Sequence, residues 1–156
     1  MFKVFKYSIF AGVFLTLAGC GTKIEILPEI VESSKDQHII YAKFDSNKTY
    51  MKKYLPSNVI IKDDAPISVK YSFTNIKTGN ITIEHNLTLE MKADLKFFNN
   101  NKEINITSFC NTYKHASVFS YGNYTKFRKV CIPEIQKNLQ QQINIKFEKG
   151  EFNVFK

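Results

Sequence analysis

The sequence predicts an α+β domain: an antiparallel β-sheet meander with one C-terminal helix laid on it. Three observations predict this. Apolar and polar residues alternate through residues 67–97, broken only near Lys77-Thr78-Gly79. After Asn99-Asn100-Asn101 the alternation returns with Ile104 and Ile106. Ile132, Ile135, Leu139 and Ile143 then recur at helical spacing. A period of two marks a half-buried strand, and a period near 3.6 marks one apolar stripe along a helix. The runner-up is an immunoglobulin-like β-sandwich, which applies if residues 131–143 add little to the core.

The elements follow in order. Residues 23–27 are strand-like, and Pro28 stops them. Residues 38–44 form a β-rich run, residues 45–48 break it, and residues 58–62 make a short run between Pro56 and Pro66. In the first hairpin strand Ile67, Val69, Tyr71 and Phe73 face one way; Ser68, Lys70, Ser72 and Thr74 face the other. In the second, Ile81, Ile83, Leu87, Leu89, Met91, Ala93, Leu95 and Phe97 form the inner row. A strand of that length is expected to bend or bulge. The returning strand places Ile104, Ile106, Ser108 and Cys110 inward. Residues 111–126 are polar and aromatic without a period and read as a long loop. It either folds back over the sheet or offers a tyrosine-rich binding surface. The helix is expected to start at Pro133, whose missing N–H is harmless in a first turn, and to reach Ile143. Residues 147–155 read as a last strand.

The start of the chain is of a different kind. Lys3 and Lys6 precede an apolar run from Tyr7 to Leu17, followed by Ala18-Gly19-Cys20. The run is shorter than the roughly 20 residues that a permanent membrane helix needs. Leu17-Ala18-Gly19-Cys20 resembles the lipobox of bacterial lipoproteins. The resemblance implies that residues 1–19 are a signal peptide. Residues 20–37 would then be a lipidated tether with a first strand, and residues 38–156 one periplasm-facing domain. It implies acyl chains on Cys20, and two or more such chains give stable membrane attachment. Gly21 follows the cysteine where an inner-membrane retention signal would have Asp, which points to the outer membrane. An ordinary cleaved signal peptide with a chance cysteine is the bland alternative.

The formal charge of the precursor is +8, and Lys3 and Lys6 leave with the signal. Arg128 is the single arginine, and lysines interleave with acids along the strands. Arginine is the residue that reads phosphate and bases bidentately, so no nucleic-acid partner is expected. The basic surface reads as solvated, with lipid headgroups or glycan phosphate as the alternative partner. With Cys20 given to lipid, Cys110 and Cys131 remain. A pair in an oxidising compartment is a disulfide candidate, contributing about 3 kcal/mol in the chain-entropy account. Two buried free thiols are the alternative.

Five Asn-x-Ser/Thr sequons occur, at Asn47, Asn80, Asn86, Asn105 and Asn123. Asp45, Glu84 and Glu103 stand two residues before Asn47, Asn86 and Asn105. With 14 acids in 156 residues, chance predicts fewer than one such match. The pattern resembles the extended sequon of Campylobacter-type N-glycosylation, which implies Asn47, Asn86 and Asn105 as candidate sites and leaves Asn80 and Asn123 unused. Polar strand faces are also rich in Asn, Thr and Glu for ordinary reasons.

Chemistry is sparse. His38, His85 and His115 lack metal-ligand spacing in sequence, so no metal is expected. Asp63-Asp64 reads as a turn. No nucleophile elbow and no glycine-rich phosphate loop is present, so neither a cofactor nor an enzymatic activity is expected. The element order resembles small YajG-type bacterial lipoproteins, on the lipobox, the strand at Thr22 to Pro28, the hairpin of residues 67–97 and the helix of residues 133–143. A long helix expected before the hairpin is missing or reduced to residues 49–55. A fainter likeness is to the lipopolysaccharide-assembly lipoprotein that plugs an outer-membrane barrel. The anchor, the single domain and the absence of a recognisable catalytic motif lead to the expectation of a membrane-anchored, non-enzymatic envelope lipoprotein that binds or scaffolds. The alternatives are an accessory subunit of an envelope machine, with an envelope protein as partner, and a surface adhesin.

Overall fold

A computed structural model of the chain describes residues 23–31, 34, 36–78, 86–115 and 121–155. Six strands form one mixed sheet in the order β1-β6-β5-β4-β2-β3. The strands are β1 (Lys23–Leu27), β2 (Ile40–Phe44), β3 (Val59–Ile61), β4 (Ser68–Thr78), β5 (Asn86–Asn99) and β6 (Lys102–His115). One helix, α1 (Tyr121–Glu148), follows, and 3-10 turns occupy Thr49–Tyr54 and Glu151–Phe155. This is an α+β fold with a C-terminal helix, and the described residues form one sheet rather than two packed ones.

The meander β4-β5-β6 is antiparallel, as expected. Its inner rows stand side by side: Tyr71 pairs with Leu95, and Leu95 with Ile106. Val69, Leu95, Phe97 and Ile106 are buried, while Lys70 and Ser72 face water. The hairpin turns at Asn100, which has φ 53°. Asparagine tolerates that left-handed conformation better than other residues with a Cβ. The outer strands depart from the meander. β1 pairs antiparallel with β6, but β2 runs parallel to both β4 and β3. Ile81, Ile83 and His85 lie outside the described residues.

Three expectations need correction. Residues 111–126 are not a long loop: β6 continues to His115, and α1 already begins at Tyr121. Pro133 does not start the helix but lies inside it. Residues 147–155 are not a strand: the helix ends at Glu148 and a 3-10 turn closes the chain. The physical reason is one row of side chains on α1. Phe127, Cys131, Ile135, Leu139 and Ile143 recur every fourth residue and are all buried against the sheet. A row that begins at Phe127 gains its burial only if residues before Pro133 are helical. At the far end Gly150, with φ 73°, reverses the chain. Phe147 then stacks on Phe152 at 4.4 Å, and Phe152 meets Phe97 edge-on at 5.4 Å. These ring contacts replace the ladder that a last strand would have made.

Polar side chains on α1 fasten it to its neighbours. Asn138 donates to the Pro28 carbonyl at 2.9 Å, and Gln142 donates to that of Thr107 at 2.9 Å. Gln136 donates to the Leu55 carbonyl at 3.2 Å. Asn58, fully buried, donates to Asn144 at 3.2 Å.

Candidate functional site

A cleft lies where β2 stops short of β4. β2 pairs with β4 only at Lys43–Ser68 and Phe44–Val69. The Asp45 N–H closes the pairing on the Val69 carbonyl at 2.8 Å. Beyond that point no strand among the described residues pairs with residues 70–78 on this side. Backbone groups along a strand alternate in direction, so about half of those on residues 70–78 point away from β5.

A cleft of about 420 Å³ occupies this place. It falls within the size range of small binding sites. Residues 70–74 line it in an unbroken row. Successive strand residues point to opposite faces, so a cleft that touches all of them runs along the strand's edge. The 3-10 turn Thr49–Tyr54 forms the opposite wall through Tyr50, Met51 and Tyr54. Tyr54 is held by stacking on Phe73, centroids 5.8 Å apart. Met51 is buried and anchors the turn, leaving Tyr50 exposed at the rim.

The charge of the cleft has one sign. Lys48, Lys70 and Arg128 line it, and no acidic side chain among the described residues does. Tyr71 sits at its base, nearly buried. Burial pushes its phenol well above the usual tyrosine range, with the Tyr54 and Asp94 charges adding to the effect. Tyr71 is therefore a permanent O–H donor at neutral pH. Among the described residues the lining holds lysine, arginine, tyrosine and hydroxyl side chains. Its chemistry suits binding of an anionic group beside an apolar one.

The residues singled out in the sequence fall elsewhere. Cys110 on β6 and Cys131 on α1 come together at disulfide distance, with Cα atoms 5.7 Å apart and both side chains fully buried. Cys20 lies outside the described residues. Asn47 is exposed in a bend between β2 and the 3-10 turn, flanked by the cleft residues Ser46 and Lys48. Asn86 is the first residue of β5. Asn105 lies on the exposed face of β6, where its amide donates to Glu103 at 3.1 Å. Glu103 also pairs with Lys96, and these two partners hold its carboxyl below the usual range. Asp63-Asp64 is an exposed turn.

Sequence reasoning missed the cleft. Lys48, Tyr50, Lys70 and Arg128 come from three separate stretches, and only the short β2 pairing creates the opening between them. It also missed a group able to hold a metal ion, Asp36, His38 and Glu148 at the far end of α1. No helix among the described residues is long and apolar enough to cross a membrane. No known family and no curated protein matches the chain.

Proposed function

We propose that this protein is a membrane-anchored, non-enzymatic envelope lipoprotein, acylated at Cys20, whose domain binds an acidic, extended segment of another envelope protein. The observation that carries the reading is the edge of β4, unpaired over residues 70–78 among the described residues, inside a cationic, tyrosine-walled cleft. An extended segment adds to such an edge through main-chain hydrogen bonds, and neighbouring side-chain contacts select it. Lys48 and Lys70 favour carboxylates on the incoming segment and would speed its encounter. The lipobox-like residues 17–20 support the anchor, which would confine the domain to the membrane surface and raise the local concentration of membrane partners. An accessory subunit of an envelope machine is the second reading. The same open edge favours it, since strand addition joins protein to protein.

The test is co-purification from the native membrane after mild crosslinking. Wild-type protein is expected to retain a stoichiometric protein partner, and the Lys48→Glu/Lys70→Glu variant is expected to lose it. A wild-type protein that extracts as a free monomer, or a partner held equally by the variant, contradicts the reading.

A further inference from the structure

The segment entering β2 and the last turn of α1 bring three metal-ligand types together. An oxygen of Asp36, a ring nitrogen of His38 and an oxygen of Glu148 all lie within 4.8 Å of one another. Ligand atoms around a divalent first-row cation sit roughly 3 to 4 Å apart, given bond lengths of about 2.0–2.2 Å. Small rotations of two exposed carboxylates close that difference.

The surroundings hold these groups in place. The His38 ring stacks on Phe147, centroids 4.9 Å apart and planes 11° from parallel. Its backbone N–H is fixed to Asn144 Oδ1 at 3.1 Å. Ser34 Oγ lies 2.7 Å from Glu148 Oε1 and 2.8 Å from the Asp36 carbonyl oxygen, so its single O–H is shared between the two ligand segments. A hydroxyl that positions a ligating carboxylate is a usual support of metal sites. A further observation concerns the imidazole itself. His38 Nε2 is buried and has no hydrogen-bond partner among the described residues. A buried imidazole nitrogen left so is costly, and such groups call for an explanation.

The geometry points to a single divalent transition-metal site formed by Asp36, His38 and Glu148, of the Zn²⁺ class. One imidazole and two carboxylates match that class, whereas all-oxygen sets suit Ca²⁺ and Mg²⁺. Three protein ligands leave positions for water. The ion would tie the chain before β2 to the end of α1, a link that Ser34 and Glu148 already make across 114 residues. It would also offset the repulsion between the two carboxylates. The site is separate from the cleft on β4, so either can fail without the other.

The experiment uses the full chain in detergent, free of any affinity tag and stripped with chelator. Zn²⁺ is titrated in by calorimetry, and thermal unfolding is followed at rising Zn²⁺. One equivalent is expected to bind, with a midpoint that climbs with Zn²⁺ concentration. His38→Ala is expected to abolish both effects. Asp36→Asn and Glu148→Gln, which keep size and hydrogen bonding, are expected to weaken binding by more than about tenfold with unchanged circular dichroism. Should His38→Ala fail to fold, Glu148→Gln decides. No saturable binding at sub-millimolar Zn²⁺, or equal binding by Glu148→Gln, overturns the assignment.

Discussion

Asn58 donates its side-chain amide to Asn144 at 3.2 Å, joining the residue before β3 to the next-to-last turn of α1. The same Asn144 oxygen accepts the backbone N–H of His38 at 3.1 Å. Asn58 in turn supports β2, since its carbonyl accepts the Ile40 N–H at 2.8 Å. Both asparagines are buried. Asn144→Leu therefore leaves the His38 N–H without its acceptor and the Asn58 amide with only its longer bond, 3.5 Å, to the Gln140 carbonyl. It is expected to cost about 1–3 kcal/mol, the cost of one unsatisfied buried group. Chemical denaturation measures this, and a change under 1 kcal/mol would show that water replaces the oxygen.

Cys110 and Cys131 join β6 to α1 at disulfide distance, with a sequence separation of 21. Oxidised, the pair is expected to contribute about 3 kcal/mol. Cys110→Ser/Cys131→Ser should lower the unfolding midpoint, and reductant should then have no further effect on it. Equal midpoints for wild type with and without reductant would mean that the thiols are free.

Pro133 lies exposed inside α1, where it removes the hydrogen bond to the carbonyl of Lys129. Pro133→Ala restores that donor. Because proline in a helix interior costs up to about 3 kcal/mol relative to alanine, the variant is expected to be more stable, by roughly 1–3 kcal/mol. A less stable variant would show that α1 needs the bend that proline permits.

The three acid-flanked sequons differ in backbone. Asn86 and Asn105 sit in strands whose ladders would have to break to present the amide to an enzyme. Asn47 sits in an exposed bend. If the chain is N-glycosylated in its host, modification is expected at Asn47 and not at Asn105, by mass spectrometry of the native protein. Asn105 has a further restraint. Its partner Glu103 stays ionised below the usual carboxylate range, so this bond persists at neutral pH and is lost only as pH falls through that lowered value. Glycan found on Asn105 alone would reverse this ranking.

Legibility in the sequence followed burial. The rows at Val69, Tyr71, Leu95, Phe97, Ile104 and Ile106 were readable because one sheet face is wet and the other packs under α1. The pairing of Cys110 with Cys131 was readable by counting. The first half of α1 was not, because Gly122, Thr125 and Pro133 all disfavour helix and only tertiary packing of Phe127 and Cys131 outweighs them. The three aromatic residues Phe147, Phe152 and Phe155, spaced by five and three, fit neither period, and ring packing around the turn at Gly150 sets their course. The cleft and the Asp36–His38–Glu148 group were invisible for one reason. Each depends on which distant segments the fold places side by side, and neither leaves a local pattern.

The open edge of β4 is the centre of the account, and site-specific photo-crosslinking in the native host tests it most directly. A photoreactive residue at Ser72, exposed on β4 and lining the cleft, is compared with one at Lys129, exposed on α1. The account predicts one discrete crosslinked protein from position 72, none from position 129, and loss of the product in the Lys48→Glu/Lys70→Glu background. No crosslinked protein at position 72, or an identical product from position 129, would contradict it.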